Sequence, residues 1–109
     1  MGDARPKRIY STLDGEPELE QSIEDFVVTL AERVDRLQDA QLLGDHTSLH
    51  KQASELRDEA QRLGYPSLVE TAGTLANVCL TGDREGALER LVTLTEIARS
   101  VRRGHRGAF

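Results

Sequence analysis

One cysteine, Cys79, occurs in 109 residues. A lone thiol cannot close an internal disulfide, and with so few soft ligands no structural zinc site can be assembled from thiolates. Stability has to come from packing. Proline is scarce as well, with 3 residues beside 9 glycines, and that composition is neither collagen-like nor disordered. Long apolar runs are missing: charges interrupt every stretch, so no segment approaches the roughly 20 apolar residues of a membrane-spanning helix. The start Met1-Gly2-Asp3-Ala4-Arg5-Pro6 has no apolar core of a signal peptide, and Pro6 stands where a myristoylation motif has Ser or Thr. The location these absences imply is the cytoplasm, with no membrane as partner. No alternation of Val, Ile or aromatic residues marks a strand.

Charge of one sign is also nearly absent from the chain ends. Arg5, Lys7 and Arg8, with Arg99, Arg102, Arg103 and Arg106, make up half of the 14 basic residues, against Asp3 alone among the acids. The body from 9 to 98 therefore holds 7 basic and 18 acidic residues. An acidic body argues against nucleic acid as ligand, because phosphate contacts need a basic face on the folded surface. The C-terminal arginines read as cations favourable to a helix dipole, followed by a frayed end at Gly104 and Gly107.

What is present is helical periodicity. Apolar residues recur at spacings of three and four in four stretches. The first runs through Leu19, Ile23, Phe26, Val27, Leu30, Val34 and Leu37 to Leu43-Gly44, where glycine suits a left-handed cap. The second opens at Asp45, an N-cap residue, and carries Leu49, Ala53, Leu56, Ala60 and Leu63 before Gly64. Pro66 fits the first turn of a third, bearing Leu68, Ala72, Leu75, Ala76 and Cys79 and ended by Gly82. Asp83 caps a fourth through Ala87, Leu88, Leu91, Leu94, Ala98 and Val101. Connections this short leave no length for crossovers. The fold class is all-α, an antiparallel up-down four-helix bundle over 18–102, with a flexible N-terminal lead at 1–17 and a tail at 103–109. In the lead, Ile9, Tyr10 and Leu13 are placed to pack over an open end of the bundle.

The second and third stretches read Ala53-Ser54-Glu55-Leu56-Arg57-Asp58-Glu59-Ala60-x2-Leu63-Gly64-x3-Leu68. This resembles the histidine-containing phosphotransfer (HPt) domain of bacterial phosphorelays, whose motif is Ala-His-x-Leu-Lys-Gly-x-Ala-x2-Leu-Gly-x3-Leu. Ala53, Leu56, Ala60, Leu63, Gly64 and Leu68 match. Phe26 with Leu30-Ala31-Glu32-Arg33-Val34 looks like the family's first bundle helix, and Gly82-Asp83 like its break before the last. The chemistry departs from the pattern: Ser54 stands at the phosphoaccepting histidine, Arg57 at the lysine and Asp58 at the glycine. An imidazole forms a labile phosphoramidate near pH 7, whereas a serine ester is too stable to pass on. The resemblance therefore implies a pseudo-HPt, not an enzyme, that docks a receiver or sensor-kinase domain of a two-component system without carrying phosphate.

At about 100° per residue Ser54 points roughly 140° from the apolar stripe and Asp58 almost opposite it, so both are expected in water. His50, Arg57 and Gln61 border the same surface. These five residues form the expected partner-binding face, where Asp58, with Glu55 and Glu59 near, opposes an acidic receiver pocket. The alternatives are active phosphotransfer through His50, one turn before Ser54, or a bundle adaptor outside phosphorelays. His50, His46 and His105 otherwise read as surface or tail residues. No spacing suggests a metal or other cofactor, and none a small-molecule substrate.

Overall fold

The four periodic stretches become four helices in the computed structural model, which describes residues 7–105. They are α1 (Glu20–Leu43), α2 (His46–Arg62), α3 (Pro66–Cys79) and α4 (Arg84–His105). Helices consecutive in sequence pack side by side and α4 closes onto α1, which makes the four-helix bundle. No strand occurs among the described residues, and none of their helices is long and apolar enough to cross a membrane. Expectations for residues 1–6 and 106–109, including Pro6 and the fray at Gly107, lie outside the described residues.

Each boundary has a local cause. Gly44 takes φ +69°, and the Gly44 and Asp45 amides donate to the Gln41 and Ala40 carbonyls, ending α1. Asp45 then accepts from the Ser48 amide at 3.0 Å to start α2. Pro66 opens α3, and Asp83 accepts from the Gly86 amide at 2.9 Å to start α4. A Cβ at Gly86 would overlap the Asp83 carboxylate as it is placed in this cap.

The inward stripes meet in one core, with Phe26, Leu30, Leu37, Leu49, Leu56, Leu63, Leu68, Leu75 and Leu94 all fully buried. Leu88, read as inward, is 50% exposed. It follows Ala87 directly, and successive helical residues lie about 100° apart, so only one of the two can face the core. Cys79 is buried, and burial pushes its thiol pKa up.

The lead is tied down over the described residues. The Ile9 amide donates to the Ser100 carbonyl at 2.9 Å, the Thr12 amide to Gly64 at 2.8 Å, and the Ser11 hydroxyl to Leu63 at 2.5 Å. Ile9 packs on the core, Leu13 is half-buried and Tyr10 stays 55% exposed. At the other terminus α4 continues through Gly104 to His105. Gly104 is there because the strap crosses it: a Cβ at 104 would run into the Ile9 carbonyl.

Candidate functional site on the second helix

Helix α2 buries Leu49, Ala53, Leu56 and Ala60, and this row divides its remaining surface into two flanks. The α3 flank carries His50, Ser54, Arg57 and Gln61, and α3 comes close there because the facing residues are small. Ala53, Ala60, Ala72 and Ala76 are fully buried, and the Arg57 stem passes over Gly73, 3.4 Å from where a Cβ would stand. The α1 flank is wider and polar. Arg33 of α1 pairs with Glu59 at 2.5 Å and its guanidinium lies 5.7 Å from the centre of the Phe26 ring, while Arg36 and Lys51 border a groove beside it.

The close approach of α3 corrects two expectations. Ser54 lies near the middle of α2 but is half-buried, not in open water. An isolated helix would expose a side chain 140° from the core, and the neighbouring helix covers part of that sector. His50 is likewise half-buried, and its Nδ1 sits 2.9 Å from the Ala76 carbonyl oxygen. A carbonyl can only accept, so Nδ1 carries a proton in this contact and Nε2 is the nitrogen left to face outward partners.

Asp58 and Gln61 are exposed, as the helical wheel requires. Arg57 is half-buried and turns its Nε to Asp58 Oδ1 at 3.1 Å, which leaves the Asp58 side chain 69% exposed. The cation on this face is thus partly committed to the neighbouring carboxylate. His46 is half-buried beside the start of α2, and His105 ends α4. Among the described residues no three His, Cys, Asp or Glu side chains are grouped to hold a metal ion.

Comparison with protein-family models, with curated proteins and with solved structures yields no match.

Sequence reasoning missed a second concave region, where the strap crosses the end of the bundle. Its floor includes Tyr65, 2% exposed and stacked on Phe26 with ring centres 5.7 Å apart. Tyr65 stands at the junction of α2 and α3, immediately before Pro66. That its ring would floor a cavity walled by Asp14, Glu16 and Glu20 depends on the path of the strap.

Proposed function

We propose that the chain is a non-catalytic, HPt-like docking module of the cytoplasm, which binds a receiver or sensor-kinase domain through His50, Ser54, Arg57, Asp58 and Gln61 without carrying phosphate. The observation behind this reading is the Arg57–Asp58 pair next to Ser54. A phosphoacceptor site needs a nucleophile that releases phosphate and a free cation to balance the charge. This face offers a half-buried hydroxyl, a cation partly committed to its neighbour, and an exposed carboxylate. Incubation with a phosphorylated receiver domain from the same source is expected to leave the chain unlabelled. Replacing Asp58 by glycine removes a negative charge and restores a small residue, and receiver affinity is expected to rise by about 1 kcal/mol, less at high salt. Unchanged affinity in Asp58→Gly would move the interface elsewhere and favour an adaptor outside phosphorelays.

One contact supports a second reading. With Nδ1 donating to the Ala76 carbonyl, a neutral His50 presents Nε2 as its nucleophilic nitrogen. Acid-labile label that vanishes in His50→Gln would replace the docking module with an active phosphotransfer protein.

A further inference from the structure

The groove between α1 and α2 encloses about 340 Å³, within the size range of small-ligand sites. Arg33 and Arg36 line it from α1 and Lys51 from α2. An acidic body with 7 basic residues between positions 9 and 98 thus places three of them at one spot.

Basic residues on a surface are ordinarily just solvated. Further observations set these apart. Arg36 and Lys51 are exposed and form no ion pair among the described residues, so no carboxylate there neutralises either charge. Arg33 gives its Nη2 to Glu59, but its Nη1 is buried without a hydrogen-bond partner, and buried donors in folded proteins normally have one. On the α2 wall the Ser48 hydroxyl oxygen accepts from Gln52 Nε2 at 2.8 Å, which leaves the hydroxyl proton uncommitted. Glu55, the acid among the lining residues, is bonded to none of these donors. Both helices therefore bring unmet donors to one concavity.

We infer that this groove binds a small organic phosphate, a phosphate monoester on a short hydroxylated body. The phosphate would lie between Arg36 and Lys51 and accept from the Ser48 hydroxyl. A turn of the Arg33 side chain would bring Nη1 to a further phosphate oxygen, and hydroxyls of the body would donate to Glu55 and to Gln52 Oε1. Guanidinium forks match phosphate oxygens in pairs, and a dianion meets two unpaired cations where a monocarboxylate meets one. Arg33 and Arg36 lie one turn apart on α1, as do Ser48 and Lys51 on α2, a footprint for a single phosphate group and not for a polymer.

The test uses the full chain with glycerol 3-phosphate as probe and glycerol, acetate and sulfate as controls, followed by amide NMR shifts. Saturable millimolar binding is expected for the probe, with shifts at Arg33, Arg36, Ser48 and Lys51, and binding weaker by at least about threefold for sulfate. Arg36→Gln and Lys51→Gln each remove an exposed, unpaired cation, and each is expected to weaken probe binding roughly tenfold with the melting temperature unchanged. Arg90→Gln removes the same charge from an exposed position on α4 and is expected to bind as the native chain does. Sulfate binding as tight as that of the probe would mean an adventitious ion only and would overturn the assignment. So would the absence of a saturable shift, full affinity in both groove variants, or equal weakening in Arg90→Gln. None of His50, Ser54, Arg57, Asp58 and Gln61 lines the groove, so the outcome is independent of receiver docking.

Discussion

The two ends of the bundle are built from the same parts and finished differently. At one end the strap closes over Tyr65, with Ser11 and Thr12 bonded to the chain at Leu63 and Gly64. At the other, Leu42, Leu43 and Leu80 are 76%, 82% and 70% exposed, and the closure is limited to caps and a tie between helices. There Gln41 donates to the Arg84 carbonyl at 3.0 Å and Arg84 to the Leu42 carbonyl at 3.1 Å. Gly64 and Gly82 show what the difference means. Both have positive φ, +81° and +71°. A Cβ on Gly64 would come within 2.7 Å of the Thr12 hydroxyl and 2.8 Å of that of Ser11, whereas one on Gly82 would meet nothing. One glycine serves backbone conformation alone; the other serves conformation and close approach together.

The largest effect should therefore come from Gly64→Ala. Left-handed strain plus disturbance of the Ser11 bond is expected to cost about 2 to 4 kcal/mol, against about 1 for Gly82→Ala. Equal losses in urea melts would mean that the strap contributes nothing at Gly64.

Alkaline unfolding separates the ends next. Tyr65 has a pKa pushed from 10.0 up to about 12 in the folded chain, by burial first and Asp14 second. A raised pKa means that the folded state holds the proton longer than the unfolded one. Its stabilising contribution is thus complete below pH 10 and is lost as the pH climbs toward 12, on the order of 2 kcal/mol. Stability measured across that window should fall less steeply in Tyr65→Phe than in the native chain; parallel slopes would show that the phenol is not shielded.

The smallest change belongs to the open end. Leu43→Ser is expected to stay within about 0.5 kcal/mol, because the side chain is already in water. A larger loss in thermal melts would reveal packing at Leu43 that its exposure denies.

Much of this architecture was legible in the residues. The stripe from Leu49 to Leu63 places α2 by its period, and Asp45, Pro66 and Asp83 mark helix starts through groups that satisfy or dispense with free amides. The expected face on α2 was legible as an angular sector but not as an environment. Ser54 and His50 are shielded because Ala72, Gly73 and Ala76 bring α3 close, and a helical wheel drawn for one helix contains no neighbour. Leu88 was misplaced for a related reason: an apolar residue beside Ala87 adds to the stripe without saying which of the two the core accepts.

The strap marks the limit most clearly. Ile9, Tyr10 and Leu13 suggested a lead that packs over an end, and Gly104 suggested a fraying helix. The described chain instead carries α4 through Gly104 and lays Ile9 against it. Local sequence determined the four helices, their caps and the apolar stripes, because hydrogen bonds at helix ends and burial of one face depend on residues a few positions apart. Tertiary structure alone decided which glycines meet a crossing chain, which flank of α2 is covered, and that Tyr65 shares a cavity with Asp14, Glu16 and Glu20. Those outcomes depend on contacts between segments distant in sequence, whose separations are set by side-chain volume across the bundle and leave no periodic trace along the chain.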